Sequence, residues 1–132
     1  MTVRELILKA KEARKKSYSP YSNFKVGAAV LMKTGKVYTG CNIENASYGA
    51  TNCAERTAIF SAISDEMSKI DTLALIGSET EFTYPCGICR QVISEFADEE
   101  TKIIIAKNEN EYIEKKLEDI IPGTFTKDDL NK

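Results

Sequence analysis

Apolar residues recur along this chain with two spacings, one typical of amphipathic helices and one typical of buried strands. Thr2 and Glu5, three residues apart, match the capping-box pattern that begins many helices. The segment that follows should be helical until Ser19 and Pro20 interrupt it, because proline cannot continue a helix. Small or apolar side chains recur at helical spacing through this first segment, at Leu6, Ile7, Ala10, Ala13 and Ser17.

Several short apolar runs have the length of strands rather than of helices. Residues 24–32 and 37–41 flank a turn at Gly35, and this arrangement predicts a β-hairpin. Residues 72–77 and 101–106 each contain a run of consecutive apolar residues, which is typical of strands that are covered on both faces. These segments therefore predict a sheet that is largely buried.

Two internal segments, residues 53–63 and 87–97, have helical periodicity and follow directly on cysteines or begin with one. Residues 42–52 are polar and rich in turn-forming residues, and they predict a loop. Residues 112–125 predict a short strand or helix in a less regular tail. Helices that alternate with apolar strands predict an α/β fold with helices on both sheet faces, and the length predicts a single domain spanning residues 1–132.

Composition narrows the possible partners. The net charge is −2 and the isoelectric point is near 5.3, which argues against a nucleic-acid partner, since such proteins carry a basic face. The sequence has no long apolar run, so we expect no membrane partner, and it shows no export signal, so we expect a cytoplasmic protein. In that reducing compartment, the four cysteines are better interpreted as metal ligands, catalytic groups or core residues than as disulfides.

Three of the cysteines stand at the predicted starts of the two internal helices. Cys86 and Cys89 are three residues apart, which places both sulfurs on one face of a first helical turn, and Cys53 begins the other helix. The chain has no histidine to complete a common zinc site. The positive ends of two helix dipoles favour thiolates, and three ligands leave the fourth tetrahedral position of Zn²⁺ open, as in catalytic sites. Cys41 lacks such spacing, and we interpret it as a buried structural thiol.

Two charged residues follow Cys53 closely. Glu55 can face the same point as Cys53 at the start of a helix, where it could act as a general base toward a water activated by zinc. Arg56 lies three residues after Cys53. Three thiolates around one zinc ion carry a net negative charge, and a guanidinium that donates to the sulfurs would offset it.

The motifs "CAE" and "PCGIC" resemble the signature of the zinc deaminases in its three-cysteine form. Together with "FKVGAA", "GCNIENASYGATNCAERTA", "PCGICRQVI" and "PGTF", they make residues 17–125 similar to the small cytidine deaminases. This resemblance implies a mixed sheet of about five strands in a three-layer α/β/α fold. It also implies one Zn²⁺ per chain, no organic cofactor, and zinc-dependent hydrolysis of cytidine and deoxycytidine to uridine and deoxyuridine plus ammonia, in pyrimidine salvage.

The resemblance also implies a role for individual residues. Cys53, Cys86 and Cys89 would bind zinc, and Glu55 would shuttle protons. The three-cysteine form of the family is similar to known homotetramers, in which neighbouring chains contribute residues to each active site. Tyr48 and Phe125 stand at positions that contribute in this way. Tyr84 departs from the small hydroxylic residue common before the proline, but its backbone carbonyl could still accept from the amino group of the base. The implied substrate-binding residues are Phe24, Asn42, Glu44, Asn45, Ala46, Tyr48, Ala54, Tyr84 and Phe125.

Other functions stay open at this point. Cys86 and Cys89 alone would also suit a thioredoxin-like redox pair. A structural zinc module could be closed by Cys41 as the fourth ligand. Among enzymes, a zinc deaminase that acts on a free base or a base-like drug is the nearest alternative, and nucleic-acid editing is disfavoured because no basic groove is evident.

Overall fold

The computed structural model describes residues 1–131 as five strands, five helices and one turn of 3₁₀-helix. Among these residues, no helix is both long enough and apolar enough to cross a bilayer. The elements are, in chain order, α1 (Val3–Arg14), β1 (Gly27–Met32), β2 (Val37–Cys41), the 3₁₀ turn Tyr48–Ala50, α2 (Ala54–Ser64), β3 (Ile70–Ile76), α3 (Gly87–Phe96), β4 (Lys102–Asn108), β5 (Glu111–Lys116), α4 (Leu117–Ile120) and α5 (Lys127–Leu130).

The five strands form one mixed sheet in the order β2-β1-β3-β4-β5. All neighbouring pairs are antiparallel except β3 and β4, which are parallel and are joined through α3. A parallel pair needs such a crossover, because the chain must return to the opposite end of the sheet before the second strand begins, and a tight turn is too short for that. The predicted α/β fold, with a mixed sheet of about five strands between helices, is confirmed.

Helices cover both faces of the sheet. On one face α1 packs through Leu6 and Ile7 against a layer that includes Ala74 and Ile104. On the other face, α2 and α3 pack against the alternate strand positions. Two covered faces explain why the central strands have apolar residues at successive positions instead of alternating with polar ones. The second layer contains Ala28, Val30, Met32, Leu73, Leu75, Ile103 and Ile105 from the strands.

The boundaries of the elements follow the predictions with local exceptions. The Thr2–Glu5 capping box is present, but α1 ends at Arg14 rather than continuing to Ser17. Strand β1 begins at Gly27, and Phe24 therefore precedes it. The side chain of Asn42 explains this late start, because its Oδ1 accepts the N–H of Val26 at 2.9 Å outside the regular ladder.

Two predicted irregular regions contain more structure than their sequences indicate. The loop at 42–52 includes the 3₁₀ turn and isolated bridges from Ile43 to Tyr18 and to Asn52. The tail contains both a strand, β5, and a short helix, α4, where one or the other was predicted. Strand β5 is polar and mostly exposed, and its place at the sheet edge is decided by pairing with β4.

Gly40 allows β2 and the start of α2 to approach each other closely. A Cβ at this position would lie 2.4 Å from the amide nitrogen of Ala58 and 2.8 Å from the carbonyl oxygen of Ala54. We expect Gly40→Ala to lower the free energy of unfolding by about 1–3 kcal/mol, because backbone must move to make room. Chemical denaturation measures this, with Gly49→Ala as a control, since nothing lies within 4 Å of a Cβ there. An unchanged unfolding midpoint for Gly40→Ala would contradict the close approach.

Candidate active site

Three cysteine sulfurs converge between the starts of α2 and α3. Cys53 caps α2 and Cys86 caps α3, while Cys89 lies in the first turn of α3 and is fully buried. Their Sγ atoms all lie within 4.8 Å of one another. The Sγ atoms of Cys53 and Cys86 are 3.7 Å apart. Two thiolates on a tetrahedral zinc ion, with bonds of about 2.3 Å, stand about 3.8 Å apart, so the spacing fits zinc.

Cys41 is not a member of this group of potential metal ligands. It lies at the end of β2 and is only partly buried, whereas a buried thiol was predicted, and this partial burial raises the pKa of the thiol. A raised thiol pKa disfavours the thiolate that binds metals. A structural zinc site closed by Cys41 is therefore not supported, and the group offers three sulfur ligands with room for a fourth, exchangeable one.

The electrostatics of the sulfur group favour an anionic cluster. A hydrogen bond from the Cys89 thiol, opposed by burial and aided by Arg56, lowers the pKa of Cys53 to about 5 in the absence of a metal ion. The same interaction with Cys53, together with burial, raises the pKa of Cys89. One thiolate is thus already stable without metal, and a divalent cation would stabilise the others.

Arg56 supplies positive charge beside the sulfurs. Its Nη2 donates to Sγ of Cys53 at 3.3 Å. Burial alone would lower the pKa of Arg56, but hydrogen bonds to Cys53 and Cys89 outweigh it and raise the pKa. Its buried Nε has no hydrogen-bond partner among the described residues. A guanidinium in this place compensates thiolate charge, and this is the arrangement expected around a metal held by three thiolates.

Glu55 is buried in the first turn of α2, with 3% of its surface exposed. Burial raises the pKa of its carboxyl to about 7 without a metal ion, and the charge of Cys53 adds to this effect. A carboxyl group with a pKa near neutrality can both accept and release a proton. It is placed beside the sulfurs because it follows the capping residue Cys53 by two positions.

A cavity of about 270 Å³ opens in front of Glu55 and the sulfurs. This volume is near the lower end of small-ligand sites. Five of the predicted substrate-binding residues line it: Phe24, Asn42, Glu44, Ala54 and Tyr84. Five further residues that the sequence did not single out also line it: Ser22, Val26, Thr51, Leu75 and Thr83. Thr83 directly precedes Tyr84 in the chain, and Ser22, Val26 and Thr51 each lie two positions from a predicted site residue. No spacing in the sequence connects Leu75 to the site.

Asn42 and Glu44 are fixed by hydrogen bonds at one side of this cavity. Asn42 is buried; its Oδ1 accepts from Val26 and Ser17, and its Nδ2 donates to the carbonyl of Phe24 at 2.8 Å. One N–H of its amide group remains for a ligand. The Glu44 carboxylate accepts several hydrogen bonds from the loop at residues 21–22. Both side chains are therefore oriented before any ligand arrives.

Phe24 is 42% exposed and presents its ring to the cavity. A Cβ on Gly77 would lie 2.8 Å from Cζ of Phe24 and 2.4 Å from Oγ1 of Thr83. The missing side chain at Gly77 therefore makes room for two residues that line the cavity.

Four of the predicted substrate-binding residues do not line this cavity. Tyr48 lines an adjacent cavity of about 340 Å³ and makes an edge contact with Tyr21. Asn45 and Ala46 lie on the exposed loop before the 3₁₀ turn. Phe125 is 58% exposed, and its carbonyl accepts from Nε2 of Gln91 at 2.9 Å. A larger cavity of about 730 Å³ is lined mainly by charged residues near β5 and contains none of the cysteines.

Comparison with known proteins agrees with this geometry. Residues 1–106 match the model of the cytidine and deoxycytidylate deaminase zinc-binding region. A cytidine deaminase from Sporosarcina psychrophila is 44% identical over 131 residues, covering 99% of this chain and 96% of the relative. One from Halalkalibacterium halodurans is 45% identical over 126 residues, covering 96% of each.

A solved structure shares both fold and sequence with the chain. The crystal structure of cytidine deaminase from Burkholderia pseudomallei superposes with a TM-score of 0.89 at 44% identity, covering 95% of this chain and 100% of that one. Sequence similarity over nearly the whole chain and the convergence of three cysteines around a buried glutamate lead to one conclusion. The chain belongs to the cytidine deaminase family, and its Cys53, Cys86 and Cys89 are placed to bind a zinc ion, in agreement with the match to the zinc-binding region of these deaminases.

Proposed function

We propose that this protein catalyses the hydrolytic deamination of cytidine and deoxycytidine to uridine and deoxyuridine with release of ammonia, as a step of pyrimidine salvage. The observation that carries the proposal is one cavity that joins the buried Glu55 and two cysteines of the sulfur group, Cys53 and Cys86, to the polar side chains of Asn42 and Glu44. A redox protein or a structural zinc module needs neither the carboxyl group nor the cavity. The names of the relatives support the same reaction.

The roles of the residues follow from their positions around the cavity. Zinc held by Cys53, Cys86 and Cys89, one ion per chain, would supply Lewis acidity that makes water a nucleophile at neutral pH. Glu55 accepts a proton from the attacking water and delivers it to N3 of the pyrimidine ring. It then accepts the proton of the hydroxyl group that has added to ring carbon C4, and it transfers this proton to the departing amino group. Because its side chain is buried, these transfers proceed away from bulk water.

Other groups orient the base. The ring of Phe24 packs against the pyrimidine, and the backbone N–H of Ala54, at the start of α2, donates to the base carbonyl. The backbone carbonyl of Tyr84 accepts from the amino group that leaves. Support comes from the place of all three residues around the same cavity as Glu55. No organic cofactor is required.

Arg56 acts through the sulfurs rather than on the substrate. By donating to Cys53, it withdraws negative charge from the thiolate. A less negative ligand set leaves a bound metal a stronger Lewis acid. We assign Arg56 this charge-compensating role, which its hydrogen bond at 3.3 Å supports.

The sugar end of the cavity favours a nucleoside. Glu44 accepts and Asn42 donates, and together they suit hydroxyl groups, which do both. The residues that line the cavity and its neighbour include no lysine or arginine to pair with a phosphate. Nucleosides are therefore the substrates, and nucleoside monophosphates and nucleic acids are excluded by the charge of Glu44.

We expect cytidine and deoxycytidine to be deaminated far more efficiently than cytosine, by about 10³-fold or more in kcat/KM. Without a sugar, the polar groups of Asn42 and Glu44 would be left unpaired. Deoxycytidylate should be a similarly poor substrate. The loss of ultraviolet absorbance measures each reaction at equal concentration of zinc-loaded protein. Equal efficiency with cytosine would show a free-base deaminase instead, and equal efficiency with deoxycytidylate would show a nucleotide enzyme.

We further infer a homotetramer in which neighbouring chains complete each active site. Two exposed aromatic residues support this, since Tyr48, which lines the adjacent cavity, is 78% exposed, and Phe125, which lines neither cavity, is 58% exposed. Large apolar side chains exposed on a single chain are suited to contact with another chain. Asn45 and Ala46 lie on the same exposed loop as Tyr48, and they contribute to this region of the site.

Mixing two inactive or impaired variants tests the shared site. We expect Phe125→Ala to lower kcat/KM by about tenfold, since an aromatic contact is lost. Tetramers mixed from Phe125→Ala and Glu55→Gln chains should recover activity above the sum of the separate variants, because some sites then combine intact residues. Sedimentation should give four chains per particle. Purely additive activity would show that each site is built from a single chain.

The cell compartment and domain organisation complete the proposal. Three closely spaced cysteines stay reduced and able to bind metal in the cytoplasm, where disulfides are disfavoured. We propose a single domain spanning residues 1–132, of which the last residue lies outside the described part of the chain; relatives whose length the chain covers almost completely support this.

A further inference from the structure

The hydroxyl group of Ser22 connects two residues of the substrate cavity. It donates to Oε2 of Glu44 and accepts the backbone N–H of Phe24 at 3.0 Å. A serine hydroxyl has one hydrogen to donate, and here the carboxylate takes it. Ser22 itself lines the substrate cavity and also the adjacent cavity next to Tyr48. One side chain thus joins the residue assigned to the sugar and the residue assigned to the base.

The local backbone holds this connection in place. Asn23 has a φ of 57°, a left-handed conformation that asparagine adopts more readily than most residues. Its N–H donates to the carbonyl of Ser19 at 3.0 Å, which closes a turn around Ser22. The turn brings the Ser22 hydroxyl back to the N–H two residues later, as serine side chains commonly do.

The same turn also fixes the other oxygen of Glu44. The backbone N–H groups of Tyr21 and Ser22 donate to Oε1 at 2.9 Å and 3.1 Å. With the Ser22 hydroxyl on Oε2, three donors bind one carboxylate, which has about four acceptor positions. These bonds, the hydroxyl foremost, lower the pKa of Glu44. The carboxylate therefore stays ionised and keeps one acceptor position toward the cavity.

We propose that Ser22 is a positioning residue for substrate binding, which orients the Glu44 carboxylate toward the sugar and fixes it relative to Phe24. The inference rests on the proposed function for the identity of the sugar-bearing substrate. The backbone N–H groups of Tyr21 and Ser22 bind only Oε1 of Glu44, so with these two bonds alone the carboxylate could still rotate about that oxygen. The hydroxyl on Oε2 removes this freedom, so its loss costs binding of substrate more than chemistry at the distant Glu55.

Kinetics of Ser22→Ala and Ser22→Thr test the proposal. We expect Ser22→Ala to raise KM for cytidine by about 10- to 100-fold, the range for a hydrogen bond to a charged group, with kcat changed less than about threefold. Ser22→Thr, which keeps the hydroxyl, should restore KM to within about threefold of the parent. Ser61→Ala is the control, since its hydroxyl is exposed on α2 and bonds only a helix carbonyl. A change confined to kcat, or no rescue by threonine, would overturn the proposal.

A double-mutant cycle shows whether Ser22 acts through Glu44. In a Glu44→Ala background, we expect Ser22→Ala to change kcat/KM by less than about threefold, since the carboxylate that it orients is gone. Multiplicative effects of the two changes would show that Ser22 acts by another route and would overturn the assignment.

A measurement that needs no activity separates this proposal from the proposed function. Titration of Glu44 by carboxyl ¹³C NMR should show a higher pKa in Ser22→Ala than in the parent, and Ser22→Thr should match the parent. If the zinc-loaded parent does not deaminate cytidine, the proposed function fails. The NMR titration still tests whether the Ser22 hydroxyl binds the Glu44 carboxylate. An unchanged Glu44 pKa in Ser22→Ala overturns the positioning role in either case.

Discussion

Replacing Glu55 with Gln is expected to lower the turnover of cytidine by about 10⁴-fold or more, with zinc binding and fold retained. One acid–base group contributes roughly 10²- to 10⁴-fold to a rate. In the proposed mechanism the same carboxylate serves at least two proton transfers in one cycle, which places the expected loss at or beyond the top of that range. Gln has the shape of Glu and can still form hydrogen bonds, but it cannot accept the proton.

A role in helix stability alone predicts a different outcome for Glu55. A carboxylate that only interacts with the dipole of α2 contributes about 0.3–1 kcal/mol to stability, and its loss would leave activity nearly intact. The assay needs protein with measured full zinc occupancy, because lost metal would mimic a lost base. Glu95→Gln, the same change at an exposed position of α3, is the control. A folded, zinc-loaded Glu55→Gln protein with turnover within tenfold of the parent would falsify the mechanism.

Replacing Cys89 with Ala is expected to remove zinc and with it all measurable activity. Cys89 is fully buried, and its thiol already interacts with Cys53 in the metal-free group. A site reduced from three protein ligands to two should lose at least about 10²-fold in zinc affinity, since loss of a supporting residue alone costs 10- to 100-fold. Competition with a chelator measures this affinity, and metal analysis should give one zinc per parent chain.

Cys41→Ser is the matched control for the Cys89 variant. Cys41 lies outside the sulfur group, and we expect its serine variant to retain full zinc and near-normal turnover. Since Cys89→Ala also leaves a small cavity, circular dichroism should first show that it is folded at the assay temperature. If Cys41→Ser lost zinc while Cys89→Ala retained it, the three-cysteine site would be contradicted. A structural zinc site that includes Cys41 would then be favoured.

Local features of this fold are predictable from the sequence because they depend on neighbours in the chain. The capping box of α1, the glycine turn of the hairpin and the starts of α2 and α3 all follow from residues within a few positions of one another. The alternation of helices and apolar strands predicts the layers for the same reason. The motifs around Cys53 and Cys86 identify the family, since their spacing is chemically specific.

Only the tertiary structure decided which residues become neighbours in the active site. Cys53 and Cys86 are far apart in the chain, and their sulfurs reach 3.7 Å because the helices that they cap pack on the same face of the sheet. Leu75 lines the cavity because of the position of β3 in the sheet, which no local sequence pattern encodes. The bonds of Ser22 to Glu44 also depend on long-range pairing, because Glu44 reaches that turn only after the hairpin has folded back. Sequence periodicity determines which face a residue occupies, whereas distances across the site are determined by the packing of whole elements.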